Sequence, residues 1–226
     1  PVGSNNVALG DGALSSGSLS GGNNTAIGRE AMLSNTSGAL NVALGSTTLD
    51  ANTTGSSNTA LGQAALGSNT TASSNTAVGY QALLTNTTGA ENVAIGRSAL
   101  DANTTASNNT AVGGASLGAN TTGASNTAIG RQALEANTTA NNNTAVGFQA
   151  GLSNTTGEDN VAVGYIALNQ NTTGSFNTAV GRRALRSNTT ANHNTTQGYY
   201  SLTFNTTGTN NTAMGSFALK SNTTAS

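Results

Sequence analysis

The hydrophobic and polar positions of this chain recur with a period of 17 residues along nearly its whole length. The consensus copy opens on Asn-Thr/Val-Ala-aliphatic-Gly, continues through a small residue followed by Leu, and ends in a polar run of the Asn-Thr-Thr type. Only the first interval departs from the period, at 18 residues. We number the repeat positions 1 to 17 from the leading asparagine. The thirteen leading asparagines are Asn6, Asn24, Asn41, Asn58, Asn75, Asn92, Asn109, Asn126, Asn143, Asn160, Asn177, Asn194 and Asn211.

This period excludes a helical repeat and predicts short strands. Seventeen residues is not a whole number of helical turns, and Gly, β-branched residues and Asn-Thr runs disfavour helix interiors. Triplets such as Thr76-Ala77-Val78 have β character, whereas the Gly-, Asn- and Ser-rich stretches between them are typical of turns. We therefore predict an all-β fold, a parallel β-solenoid or β-roll of thirteen 17-residue coils, with residues 1–226 forming a single array.

Three places break the regularity of the array. The first coil, residues 6–23, carries an inserted residue and a Gly-Ser-rich stretch, which predicts a bulged loop. The leucine of position 9 slips by one place at Gly151-Leu152. In the twelfth coil Thr196 and Gln197 replace the alanine and the aliphatic residue, giving either a buried polar layer or a local defect turned to solvent. The array begins and ends in mid-coil, so we expect it to be uncapped at both ends.

The strand positions are restricted on both of their faces. Position 5 is Gly in every copy, position 3 is Ala in all but one, and position 4 is aliphatic in all but one. Because side chains alternate along a strand, positions 3 and 5 are expected on one face and positions 2 and 4 on the other. Restriction of both faces is typical of strands that are covered on both sides. The most economical cover is another copy, so we expect an intertwined or side-by-side homotrimer.

Charge and aromatic residues fall outside this repeating pattern. All fifteen charged residues occupy positions 6, 7, 10, 16 and 17, and the net charge is −1. Such a balance gives no basic surface for nucleic acid, and no apolar run is long enough to span a membrane. The eight aromatic residues lie in variable positions, where we expect candidate surface contacts, including contacts with surface glycans. They are Tyr80, Phe148, Tyr165, Phe176, Tyr199, Tyr200, Phe204 and Phe217.

Nothing in the sequence favours catalysis or a bound cofactor. His193 is the only histidine and lies in a variable position, and the carboxylates are dispersed without an apolar pocket to pair them. Zero cysteines exclude a disulfide framework and thiolate metal sites. We therefore expect no enzyme activity, no metal site and no cofactor.

Twelve asparagines at position 12 open Asn-Thr-Thr or Asn-Thr-Ser triplets, which match the N-glycosylation sequon. Glycans on every copy would be about 5 Å apart along the stack, which is too crowded. We expect instead a structural ladder of asparagine amides hydrogen-bonded from coil to coil, with sparse glycosylation as an addition. The ladder residues are Asn35, Asn52, Asn69, Asn86, Asn103, Asn120, Asn137, Asn154, Asn171, Asn188, Asn205 and Asn222.

The repeats resemble those of known surface proteins. Asn92-Val93-Ala94-Ile95-Gly96 resembles the head repeats of trimeric autotransporter adhesins, and Asn75 to Gly89 is similar to arrays in phage tail-fibre-like and large bacterial surface proteins. The resemblance implies a homotrimeric β-roll, display outside the cell and a role in attachment. The 17-residue coil is longer than the usual adhesin head repeat, so the resemblance supports architecture better than a particular role.

Three functions remain open from the sequence. The first is an extracellular structural or adhesive fibre segment, on a cell or virion surface, that associates with itself and stacks head to tail into a filament. The second is a phage tail-fibre shaft for host attachment. The third is a monomeric ice- or carbohydrate-binding solenoid. Paired threonines such as Thr53-Thr54 argue against ice binding, because neighbours on a strand point to opposite faces.

Overall fold

A computed structural model describes residues 4–226, and the first three residues of the expected array lie outside this range. Thirteen three-residue strands join in chain order into one parallel sheet, and the described residues contain no helix. The predicted all-β parallel solenoid is therefore confirmed. The strands are β1 Val7–Leu9, β2 Thr25–Ile27, β3 Val42–Leu44, β4 Thr59–Leu61, β5 Thr76–Val78, β6 Val93–Ile95, β7 Thr110–Val112, β8 Thr127–Ile129, β9 Thr144–Val146, β10 Val161–Val163, β11 Thr178–Val180, β12 Thr195–Gln197 and β13 Thr212–Met214.

The chain divides into two compact units, an N-terminal unit up to Ala111 and a C-terminal unit from Val112. In the N-terminal unit Ala77 of β5 pairs with Ala60 of β4 and with Ala94 of β6. In the C-terminal unit β10 pairs in the same way with β9 and β11. In these strands each repeat position therefore pairs with the same position of the neighbouring coils.

Each strand ends at position 4 because position 5 takes a positive-φ backbone conformation that residues with a side chain rarely adopt. Gly79 has φ of +135°, and a Cβ atom there would lie 2.6 Å from the carbonyl oxygen of Gly96 in the next coil. The expectation that positions 3 and 5 share a strand face was wrong for position 5, which lies beyond the strand. Glycine is required there by φ and by the close approach of the next coil.

The core of each coil is narrow and mixes small apolar, leucine and asparagine side chains. In the coil that starts at Asn75, the side chains of Asn75, Ala77, Ala82, Leu83 and Asn86 are fully buried. Leucine at position 9 has φ near +50° throughout, and the backbone turns there between two hydrogen-bonded segments. The interior of each coil is therefore filled by aliphatic side chains together with buried asparagine amides.

The irregular coils keep the stack by local adjustments. In the first coil the backbone amides of Ser20 and Gly21 both donate to the carbonyl of Thr36, at 2.6 and 3.1 Å. Gly151 takes the buried place that leucine holds in neighbouring coils, with φ of +60°. In the twelfth coil the buried Thr196 hydroxyl bonds to the Ser201 hydroxyl, which donates to a backbone carbonyl at 3.1 Å. A hydroxyl pair thus replaces an alanine pair inside the coil.

Candidate functional surfaces

The position-12 asparagines form a continuous ladder of amides inside the N-terminal unit. The Asn52 side-chain amide donates to Oδ1 of Asn35 at 2.9 Å, and Asn69 donates to Oδ1 of Asn52 at the same distance. Asn86 and Asn103 continue the ladder at 3.1 and 2.8 Å. All five side chains are completely buried. Asn52, Asn69 and Asn86 therefore each bond to the coil before and to the coil after.

The position-1 asparagines form a second column that shares an acceptor with the first. The carbonyl of Gly55, at position 15, accepts a hydrogen bond from Nδ2 of Asn52 at 3.0 Å and from Nδ2 of Asn41 at 2.9 Å. The Asn41 backbone amide in turn donates to Oδ1 of Asn24 in the preceding coil, at 3.0 Å. Both asparagine columns therefore donate hydrogen bonds to the same turn.

The C-terminal unit repeats this arrangement, which bears on glycosylation. Asn137, Asn154, Asn171, Asn188 and Asn205 each donate to the preceding asparagine at 2.8 to 3.2 Å. Their side chains are at most 1% exposed. The Nδ2 atom that would carry a glycan is thus buried and already donates hydrogen bonds, so the folded coils offer no accessible sequon at these five positions. Asn222, by contrast, is only partly buried.

The outward side of the sheet carries two rows of side chains, from positions 2 and 4 of the repeat, which we call the strand face. In the N-terminal unit Val42, Leu44 and Ile95 are 42%, 43% and 39% exposed. In the C-terminal unit Ile129 is 41% exposed. Charged residues are absent from both positions in all thirteen coils. The strand face is therefore an uncharged surface of threonine, valine and larger aliphatic residues.

Gln197 interrupts the aliphatic row of the strand face. It ends β12 between Val180 and Met214, its register partners in β11 and β13, and its side chain is exposed in the single chain. Of the two alternatives left open for this residue, exposure in the single chain is what the structure describes. A second copy on this face would cover the glutamine.

The candidate aromatic contacts form stacks between adjacent coils. Phe148 and Tyr165, at position 6 of neighbouring coils, stack with their ring centroids 5.5 Å apart. Phe176 stacks in the same way on His193, at 5.0 Å and with the ring planes 3° apart. Tyr80 is 47% exposed and belongs to the N-terminal unit. The single histidine is therefore part of an aromatic stack on the surface.

A larger group in the last coils combines rings with cations. The Arg182 guanidinium lies 5.5 Å from the Tyr165 ring centroid and 5.7 Å from that of Tyr199, and its Nη1 donates to the Tyr199 hydroxyl at 3.1 Å. The Lys220 ammonium lies 5.0 Å from the Phe217 centroid and 5.9 Å from that of Phe204. Contacts of this kind are favourable because the ring face is electron-rich. The aromatic residues and the cations of this region therefore form one surface.

The acidic groups give no comparable cluster. Among residues 4–226 no group of three or more His, Cys, Asp or Glu side chains could hold a metal ion. Burial raises the pKa of the Asp50 carboxyl, backbone hydrogen bonds oppose the rise, and the charge of Glu30 adds to it. Asp50 lines an open cavity of about 440 Å³ together with Thr47 and Leu84. Residues 4–226 as a whole contain no helix long and apolar enough to span a membrane.

Two features of these surfaces were not predicted from the sequence. One is the carbonyl at position 15, which the two asparagine columns share; the backbone gives no sequence signal for it. The other is the pairing of cations with rings. The sequence did contain a signal for this pairing, because Arg182 and Arg183 precede Tyr199 and Tyr200 by one 17-residue period. In a parallel stack this spacing places such residues side by side.

Comparison with protein-family models gives no match to this chain, and no curated protein or solved structure matches it.

Proposed function

We propose that this chain is an extracellular structural and adhesive fibre segment that associates with further copies of itself through the strand face. The observation that carries the proposal is the row of exposed aliphatic side chains at position 4, such as Leu44, Ile95 and Ile129, with no charge beside them on the face. Covering apolar surface stabilises a complex by roughly 25 cal/mol per Å². A regular row of this kind favours a partner that covers every coil.

A second copy of the chain fits the strand face better than an unrelated partner does. Its own strand face has the same spacing, because parallel strands stack at about 4.8 Å in every copy. Side chains of one row can therefore lie between those of the other along the whole sheet. Two-fold dimers reuse one surface in this way, and in a three-fold ring the strand faces of all copies can line the common axis. The resemblance of Val93-Ala94-Ile95-Gly96 to adhesin head repeats supports three copies, and supports a place on a cell or virion surface.

Head-to-tail stacking extends the same proposal to a filament. The outer strands of a parallel sheet present unpaired backbone N–H and C=O groups, which can pair with a strand of another molecule. The asparagine ladders supply donors and acceptors at the same turn in each coil, as Asn69 does toward Asn52. Stacked subunits would thus continue both the sheet and the ladder.

The mass of the chain in solution tests the proposal. We expect light scattering to give a multiple of 22.1 kDa, three copies in the simplest case. Ile95→Glu combined with Ile129→Glu places charges on the strand face and is expected to return the mass to that of one chain. Thr88→Glu, at exposed position 14, is the matched control and should leave the assembly intact. A wild-type chain that stays at 22.1 kDa over the whole concentration range would contradict the proposal.

A second candidate function, ice binding, is favoured by the same face in its uncovered state. Thr59 is exposed and Thr76 and Thr144 are partly exposed at position 2 of their strands, where they alternate with aliphatic side chains at position 4. Strand geometry spaces these groups by about 4.8 Å between coils and about 6.7 Å along a strand. Inhibition of ice recrystallisation by a monomeric chain, lost in Thr76→Lys, would support this candidate over self-association.

A further inference from the structure

The charges of the chain are separated along its length. All eight acidic residues lie at or before Asp159, together with three of the seven cations. Residues 160–226 contain the other four cations, Arg182, Arg183, Arg186 and Lys220, and no acidic residue. The whole chain has a net charge of −1, but its residues 160–226 carry four positive side-chain charges and no negative one.

Three of these cations, Arg182, Arg183 and Lys220, lie against aromatic rings. Arg183 lies 5.1 Å from the Tyr200 ring centroid and donates to the Tyr200 hydroxyl. Arg182 contacts the Tyr199 and Tyr200 rings, both at 5.7 Å from its Cζ. We call Arg182, Arg183, Tyr199, Tyr200, Phe217 and Lys220 the cation–aromatic patch. It lies at repeat positions 6, 7 and 10, outside the strand face.

The patch leaves its positive charge without a negative partner. Residues 160–226 contain no acidic side chain that could pair with these cations, and the Nε atoms of Arg183 and Arg186, which have no hydrogen-bond acceptor, are buried and lie out of reach of an outside ligand. The ion pair between Arg29 and Glu30 belongs to the N-terminal unit. A guanidinium group binds carboxylate and sulfate-type oxygens through paired N–H donors. The chemistry that would complete the patch is an anion presented from outside the chain.

The arrangement of the rings narrows the class of anion. Tyr199 packs against Tyr200 at 4.5 Å and edge-on against Phe217 at 5.3 Å, and the cations lie over the same rings. Rings that contact one another and cations leave less of their faces for stacking on nucleobases, which is how single-stranded nucleic acids are held. Phenol hydroxyls and guanidinium N–H groups remain as exposed donors. These groups match the hydroxyls and acidic groups of a sugar chain.

We propose that the cation–aromatic patch binds a carbohydrate that carries carboxylate or sulfate groups. The proposal goes beyond self-association, since the patch lies within the C-terminal unit of one chain and uses no residue of the strand face. Its affinity falls with added salt, because partly exposed charges are screened. It gives the adhesive part of the fibre a ligand class.

Binding of the full chain to four immobilised probes tests the proposal: heparin, polygalacturonate, neutral dextran and oligothymidine. We expect binding to heparin, to polygalacturonate or to both, which separates sulfate from carboxylate recognition, and no binding to dextran. Arg182→Gln combined with Lys220→Gln is expected to weaken that binding about tenfold or more. Arg131→Gln removes an exposed cation from position 6 outside the patch and should change binding less than about twofold.

Two further measurements keep the outcome decisive. The charge-preserving variant Arg182→Lys should retain more binding than Arg182→Gln, and circular dichroism should show that both variants fold. The Ile95→Glu, Ile129→Glu variant should still bind, so failure of self-association and failure of this proposal are distinguishable. Tighter binding of oligothymidine than of either acidic glycan would overturn the proposal. Equal loss in Arg131→Gln, or no binding to any acidic glycan, would do the same.

Discussion

Nδ2 of Asn69 lies 2.9 Å from Oδ1 of Asn52, and both side chains are completely buried. The same Nδ2 donates to the carbonyl of Ala72 at 3.0 Å, and Oδ1 of Asn69 accepts from Asn86 at 3.1 Å. One side chain therefore satisfies polar groups in three successive coils. A buried polar group that loses its partner costs more than a hydrogen bond contributes when formed.

Asn69→Ala is expected to lower the free energy of unfolding by about 2–4 kcal/mol, since three hydrogen bonds are lost and their partners stay buried. Urea denaturation followed by circular dichroism measures this change. Thr71→Ala, at the exposed position 14 of the same coil, is the matched control and should cost no more than about 0.5 kcal/mol. Similar losses in the two variants would contradict a structural role for the ladder.

Gly79→Ala is expected to destabilise the chain more than Gly215→Ala does. Both glycines have positive φ, +135° and +114°, so both variants carry backbone strain of about 1–3 kcal/mol. A Cβ atom at Gly79 would also lie 2.6 Å from the carbonyl oxygen of Gly96, whereas at Gly215 no atom lies within 4 Å. The difference between the two losses, about 1–3 kcal/mol, measures the cost of the clash. Equal losses would mean that strain alone fixes glycine at position 5.

Asp50 predicts a pH dependence of stability. Burial raises the pKa of its carboxyl above the ordinary value of 3.8, so the folded chain holds this proton more tightly than the unfolded chain does. Its contribution is fully present below pH 3.8 and is lost as the pH rises through the raised pKa. Asp50→Asn should therefore gain stability relative to wild type as the pH rises from below 3.8 to neutral. Denaturation of both proteins over this range checks the sign, and a constant difference would show that Asp50 makes no such contribution.

The sequence predicted the architecture because one period runs through both the backbone and the core. Alanine at position 3 and leucine at position 9 can be read as buried from their recurrence alone, and the register of Ala60, Ala77 and Ala94 follows from the same period. Asparagine at position 12 was identified as a ladder residue because glycans at every coil would be too crowded. Thirteen copies of one repeat show which residue types each structural position accepts, whereas a globular domain without repeats shows one residue at each position.

The remaining features depend on geometry that the residue pattern does not carry. Alternation along a strand predicted the wrong reason for Gly79, because the strand is only three residues long and the chain turns at position 5. The pairing of Arg182 with Tyr199 depends on side-chain reach across coils. The aromatic residues looked scattered since their recurrence is confined to the last coils. Their contacts follow from the period only once the stack is known to be parallel.

The proposed contact between copies of the chain at the strand face can be tested by cysteine cross-linking. The chain has no cysteine, so Ile129→Cys introduces a single thiol at exposed position 4, and Thr122→Cys introduces one at exposed position 14. A parallel cyclic arrangement, with its symmetry axis running along the stack beside the strand face, brings Ile129 of one copy near the same residue of another. Mild oxidation is then expected to link Ile129→Cys into covalent dimers rapidly, while Thr122→Cys stays unlinked. Rapid linking of Thr122→Cys, or none at Ile129→Cys, would contradict the claim.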